Sequence, residues 1–242
     1  MIALSFDNLG EAADIERDAW PADAALGRHP SVTEVLPRLL DELDALGLRA
    51  TFCVEALNCR MYPEAVAGIA ARGHELGLHG WRHETWFELD PAREAELLAR
   101  GRDAFAALGL EVRGFRPPGG ELNPASTALL REHGFTWISP AGEAPGTVDG
   151  LVSVPFTWRA VDAYWRMDAF APQREALGDP VAARTPAETA DRLLTELDGG
   201  GTLILHPFLM DGDEAFAAAS GVLRSVAGHT ATVGEVAAAL AG

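Results

Sequence analysis

Short apolar runs alternate with amphipathic, glycine-terminated stretches along almost the whole chain, and this alternation constrains the fold more than any other feature. Ile2–Phe6 reads as a first strand. Ser31-Val-Thr-Glu34 has the form of a capping box, and the helix behind it is expected to run to about Leu46 and stop at Gly47. Strand Ala50–Val54, helix Pro63–Arg72, strand His74–Leu78, helix Pro91–Leu108, strand Val112–Phe115, helix Pro124–His133 and strand Phe135–Ile138 are expected in turn, the three helices closed by Gly73, Gly109 and Gly134. Leu151–Val154 and Thr202–Leu205 read as further strands around a helix over Pro186–Leu197, and Asp213–Val226 and Thr232–Leu240 as alanine-rich closing helices. Alternation of this kind requires parallel strands joined by helical crossovers, because a tight turn cannot connect a parallel pair. An open doubly wound sheet and a closed barrel both satisfy it, and in both the ligand sits beyond the carboxyl ends of the strands.

Composition narrows the partners. A chain of 242 residues with 48% hydrophobic content fits one domain, residues 1–242, with a large core. No apolar run approaches the length of a bilayer span. The opening Met1-Ile2-Ala3-Leu4-Ser5-Phe6-Asp7 lacks a basic n-region, an apolar h-region and a cleavage site, so a cytoplasmic protein is expected rather than a secreted precursor. Its two cysteines, Cys53 and Cys59, are not expected to form a disulfide, and Cys53 reads as a small core residue. A net charge of −17 leaves no Lys/Arg-rich face for nucleic acid or for an anionic membrane, and implies a solvated acidic surface. A homo-oligomer stays open.

Polar residues recur where the apolar runs end. Asp7 and Asn8 follow the first strand, His79 and His83 follow Leu76–Leu78, Arg116 follows Val112–Phe115, and His206 follows Thr202–Leu205. All fall on the face where an α/β enzyme places its chemistry. The two imidazoles, four residues apart, can converge on one metal ion from a helical turn or across a tight strand-to-helix bend.

These segments resemble the polysaccharide deacetylase family (NodB homology, carbohydrate esterase 4). Ser5-Phe6-Asp7-Asn8, His79-xxx-His83, Arg116-Pro-Pro-Gly119 and Leu203-Ile-Leu-His206 stand in that family's order and rough spacing, from the first strand to the last. His79-Gly80-Trp81, Pro155-Phe-Thr-Trp158 and His206-Pro207 look closest to a branch of cytoplasmic peptidoglycan-deacetylase-like and allantoinase-like proteins. The resemblance implies an α/β fold, an irregular (β/α) barrel of about seven parallel strands, and metal-assisted hydrolysis of an amide. In that scheme a divalent cation, usually Zn2+, polarises the acyl oxygen and lowers the pKa of a water. His79 and His83 would be ligands, Asp7 the general base, Arg116 its ion-pair partner and His206 the general acid. Asp162 roughly matches the acidic residue that steadies that histidine.

The chain departs from the family at the third metal ligand. A carboxylate is expected one or two positions after the catalytic aspartate, where this chain has Asn8 and Leu9. Leucine cannot ligate, and the Asn8 amide oxygen is a neutral, weaker ligand for Zn2+. Glu11, Asp14, His29 or a water are alternatives, as is a site with no catalytic metal.

The remaining readings are plainer. Trp81, Trp86, Trp158 and Trp165 either line a sugar-stacking cleft or pack in the core. His74, His133 and His229 lie beside helix ends and are expected to face solvent. The segment from Phe156 to Thr185 carries few helix or strand signals and is expected to form a lid or substrate wall, with Arg159, Arg166, Arg174 and Arg184 as solvated loop arginines. The expected substrate is a small-molecule or oligosaccharide amide, such as an N-acylated aminosugar, an acylated intermediate or a cyclic amide. Two other functions fit the residues: a metal-independent hydrolase of cyclic imides or ureides, and a non-catalytic carbohydrate-binding relic.

Overall fold

The computed structural model describes residues 1–242. In chain order the strands are β1 (Ile2–Asp7), β2 (Thr51–Val54), β3 (Glu75–Leu78), β4 (Gly114–Phe115), β5 (Trp137–Ile138), β6 (Gly146–Val148), β7 (Leu151–Ser153), β8 (Gly201–Leu205) and β9 (Thr230–Ala231). The helices are α1 (Ala12–Glu16), α2 (Leu36–Leu46), α3 (Asn58–Met61), α4 (Pro63–Ala71), α5 (Pro91–Ala106), α6 (Ser126–Glu132), α7 (Asp162–Arg166), α8 (Ala171–Ala176), α9 (Pro186–Glu196), α10 (Asp213–Val226) and α11 (Val233–Ala241).

The strands line up as β6-β7-β5-β4-β3-β2-β1-β8, with β9 also beside β1. From β7 through β8 every neighbour is parallel, as the crossover helices require; only the β6–β7 hairpin is antiparallel. All six residues of β1 are buried, because it lies inside the sheet between β2 and β8. Beyond β8, a single bridge from Ile204 to Val161 lays the chain before α7 alongside that strand. The sheet therefore curls into an irregular (β/α) barrel whose closure is incomplete. Its interior is one cluster of 48 buried residues, with Phe6 stacked on Phe52 at 4.8 Å. No helix is long and apolar enough to cross a membrane.

Most expected elements are present and shorter. The runs at Val112–Phe115 and Phe135–Ile138 reduce to the pairs β4 and β5, where Gly114 allows the Trp137 indole to lie over the backbone: a Cβ there would meet that ring at 1.8 Å. The expected capping box at Ser31 does not form. Its hydroxyl accepts from Gly10 N–H at 3.0 Å and pairs with His29 Nδ1 at 2.7 Å, so Ser31–Val35 makes a wide turn before α2. Tertiary contacts claim the hydroxyl that the helix end would have used. Capping boxes do form at Thr185/Glu188 and Thr232/Glu235.

Two expectations about polar side chains are overturned. His74 does not face solvent: it is buried, stands edge-on to Phe52, and its Nδ1 accepts from Ala50 N–H at 3.3 Å. Arg174 is no solvated loop arginine. It is fully buried and donates to the carbonyls of Val181 (2.7 Å), Met167 (3.0 Å) and Tyr164. A buried guanidinium must spend its donors, and here they tie together the α7–α8 segment that the sequence pattern left without elements.

Candidate active site

The strand register brings the polar strand ends together. Phe6 pairs with Leu205, so Asp7 and His206 stand at the same level; Val54 pairs with Leu78 and Leu78 with Phe115, so His79 and Arg116 leave adjacent strands side by side. Arg116 is buried and reaches back across the barrel. Its Nη1 donates to Asp7 Oδ1 at 2.7 Å and to Ser5 Oγ at 2.8 Å, and its Nη2 donates to Ser139 Oγ at 2.9 Å. Burial alone would push the Asp7 carboxyl up, but Arg116, aided by His79 and His206, outweighs it and holds Asp7 below its ordinary value. Asp7 is thus a buried carboxylate kept ionised by a partner whose other donors are also satisfied.

His79 donates from Nδ1 to the Arg116 carbonyl at 2.8 Å, which fixes the tautomer and leaves the Nε2 lone pair free, 4.0 Å from Asp7 Oδ2. Burial lowers its pKa against the opposing pull of Asp7 and the Arg116 carbonyl, so the ring is neutral. His83 follows across a bend. Gly80 and His83 both take left-handed backbone (φ 73° and 77°), and Glu84 closes the turn by accepting from Trp81 N–H at 2.9 Å and Arg82 N–H at 3.1 Å. The two imidazoles meet nearly edge-on, with centroids 4.9 Å apart. Burial, His79 and Arg17 together hold the His83 pKa well below its ordinary value.

His206 is gripped by Asp162, whose Oδ1 accepts from Nδ1 at 2.6 Å and whose Oδ2 accepts from the His206 backbone N–H at 2.8 Å. Burial would lower the His206 pKa, but Asp162, with help from Asp7, raises it above its ordinary value.

Asp7, His79, His83, Arg116 and His206 line one cavity of about 520 Å3, and Asn8, buried and in left-handed backbone (φ 57°), lines it too. Glu11, Asp14 and His29 do not. Glu11 accepts from Gly27 N–H at 2.5 Å and from the Tyr62 hydroxyl, and His29 lies 3.7 Å from Asp14. The donors that face this cavity are therefore two imidazoles, the neutral amide of Asn8 and the Asp7 carboxylate, whose Oδ1 is already taken by Arg116. His79 is oriented for ligation through Nε2. His83 is oriented otherwise, since Arg17 Nη2 donates to its Nδ1 at 3.3 Å and so directs the ring proton to Nε2, and no three His, Cys, Asp or Glu side chains stand close enough together to enclose a cation.

Of the four tryptophans read as cleft or core candidates, Trp158 alone borders the cavity; Trp81, Trp86 and Trp165 are core residues. Several lining residues carried no motif signal: Arg17, Met167, Phe170 and Phe208. Ser5, inside β1, and Ser139, directly after β5, carry the hydroxyls that orient Arg116. Only the two-residue period that puts Ser5 on the same face as Asp7 pointed to the first of them.

Residues 1–138 match the polysaccharide deacetylase family. The chain is 28% identical to a Helicobacter pylori peptidoglycan deacetylase over 103 residues, which take in 42% of this chain and 35% of that protein. It is 32% identical to Saccharomyces cerevisiae chitin deacetylase 1 over 97 residues, 40% of this chain and 32% of that one. It thus spans about a third of the length of those two relatives. Among solved structures, a Mycobacterium smegmatis protein named as a polysaccharide deacetylase superposes with a TM-score of 0.85 at 27% identity, covering 99% of this chain and 89% of that one. Puue allantoinase shares the fold, with a TM-score of 0.74 at 18% identity over 98% of this chain and 89% of its own. The match runs from the strand that carries Asp7 through those that present His79 and Arg116, and by it the chain belongs to the polysaccharide deacetylase family.

Proposed function

We propose that residues 1–242 form one catalytic domain that hydrolyses a non-peptide amide, by deacetylation of an N-acylated sugar or a related small molecule. The observation that carries this reading is a pairing of opposite proton chemistries in one cavity. Asp7 is kept ionised by Arg116, and His206 is kept protonatable by Asp162.

Asp7 accepts a proton from the water that attacks the acyl carbon. The carbonyl π electrons move to oxygen, and their return expels nitrogen, which His206 protonates so that it leaves as an amine. Arg116 keeps Asp7 charged and aimed; Asp162 holds His206 in the tautomer that turns Nε2 to the cavity. The family generally uses a divalent metal. His79, His83 and the Asn8 amide oxygen would hold such a cation, and their borderline donor chemistry suits Zn2+. When bound, it supplies Lewis-acid polarisation of the acyl oxygen.

A small-molecule substrate agrees with a cytoplasmic setting, and the free, buried Cys53 and Cys59 suit a reducing compartment. One observation favours a second reading, metal-independent opening of a cyclic imide or ureide: the Arg17 cation sits on His83 beside a neutral Asn8. The test is amine release from N-acylated aminosugars and ring opening of cyclic imides, each with and without chelator, together with the zinc content of the protein. About one equivalent of zinc, lost in His79→Ala along with amide cleavage, is the expected result. A chelator-treated, metal-free enzyme of full activity overturns the metal-dependent form. Loss of activity in a folded Asp7→Asn variant excludes a binding relic.

A further inference from the structure

The polar lining of the cavity comes from the strand-end groups that serve the chemistry and from Arg17, which is spent on His83 at 3.3 Å. The remaining wall is built from Phe156, Trp158, Val161, Met167, Phe170 and Phe208. Phe156 stands edge-on to Trp158 at 5.2 Å, and Trp158 packs against Phe170 at 5.2 Å. Gly120 backs the first two rings so closely that a Cβ there would meet Phe156 at 3.0 Å and Trp158 at 3.2 Å. The wall is also fixed in place. Arg174 clamps the carbonyls of Met167 and Val181, and Asp179 accepts from the Tyr164 hydroxyl at 2.7 Å and from Arg159 Nε at 2.8 Å. A preformed wall of this kind shows what shape the substrate must have, because no rearrangement is needed to create it.

We infer that the scissile amide is flanked by an apolar group larger than a methyl, an aromatic ring or a branched aliphatic, carried on a single small molecule; this rests on the amide-hydrolase reading above. A glycan stacked on Trp158 would press its hydroxyl edges against Met167, Phe170 and Phe208, which offer no partner, and each buried unpaired hydroxyl is costly. A phenyl ring removes far more apolar surface from water than an acetyl methyl does, which corresponds to roughly tenfold to a hundredfold in binding.

The test is a matched panel assayed for amine release: N-acetylglucosamine, N,N′,N″-triacetylchitotriose, N-benzoylglucosamine and acetanilide. Either aromatic member is expected to exceed both glycans in kcat/KM by about tenfold or more. Phe170→Ala and Phe208→Ala are expected to erase that preference while each variant unfolds cooperatively. Cleavage of N-acetylglucosamine or N,N′,N″-triacetylchitotriose at equal or greater efficiency overturns the inference and leaves the hydrolase reading standing. If no amide is cleaved, the hydrolase reading falls, and benzamide and acetamide binding, followed by tryptophan fluorescence, decides the inference alone. Tighter benzamide binding that Phe170→Ala weakens supports it; equal binding overturns it.

Discussion

Asp162 holds His206 at two points, accepting Nδ1–H at 2.6 Å and the backbone N–H at 2.8 Å. The carboxylate raises the imidazole above its ordinary value of 6.5, so in the general-acid role proposed for it His206 would set the alkaline limb of the rate profile above that value. The same shift has a stability consequence of defined sign. The pair contributes fully below pH 6.5 and is lost as the pH rises through the raised folded value. Asp162→Asn is expected to move the alkaline limb of kcat/KM to lower pH and to cut the plateau by roughly tenfold to a hundredfold. An unmoved limb in that variant would show that another group supplies the proton.

Arg116 and Asp7 form the buried counterpart, and here the sign is reversed. The folded Asp7 pKa lies below 3.8, so its contribution is present above pH 3.8 and lost as the pH falls through the lowered value. Arg116→Met leaves burial unopposed. It is expected to destabilise the protein by about 3–5 kcal/mol in urea unfolding near neutral pH. The deficit should shrink in acid, where a protonated Asp7 no longer needs a counter-charge. The acid limb of the rate profile should move upward in the same variant.

Arg17 donates to His83 Nδ1, a contact that an imidazole ligating through Nε2 would have to give up, and its charge would repel a divalent cation held there. Removing it frees the tautomer and removes a repulsion. Arg17→Met is therefore expected to tighten Zn2+ binding by about tenfold in a chelator competition, on the scale of other groups that orient a ligand. Unchanged affinity would mean that Arg17 already swings clear in solution.

The strand-end residues were legible because each apolar run ends in its own polar group, and parallel strands gather those ends on one side. Asp7, His79, Arg116 and His206 needed no knowledge of helix packing. Ser139 was not legible: one hydroxyl within Trp137–Ser139 looks like any small polar residue at a strand end, and only the reach of Arg116 gives it a task. The apolar wall falls in the Phe156–Thr185 segment that the sequence marks as a lid or substrate wall, and Phe156, Trp158, Val161, Met167 and Phe170 do line the cavity, but its internal order was hidden. Its helices α7 and α8 are too short to show a helical period, and what orders them is a buried arginine on backbone carbonyls, which leaves no pattern in sequence. Ser31 failed in the opposite way, with a correct local signal overridden by contacts to Gly10 and His29.

Asn8 is where the chain parts from its family's ligand pattern, and reversing that difference gives the sharpest test. Asp tolerates the left-handed backbone at this position (φ 57°) as Asn does, so Asn8→Asp changes charge with little change of shape. Without metal, a second buried carboxylate beside Asp7 repels it and raises the pKa of one of the pair. The metal-free variant is therefore expected to melt below the parent near neutral pH, and the difference should fade in acid. With Zn2+ the balance inverts, because a carboxylate is a stronger ligand than an amide. Melting temperatures at graded Zn2+ should cross, with the variant gaining more than the parent as the cation binds only the folded state. Parallel Zn2+ responses in parent and variant would remove Asn8 from the ligand set and leave His79 and His83 without a third protein partner.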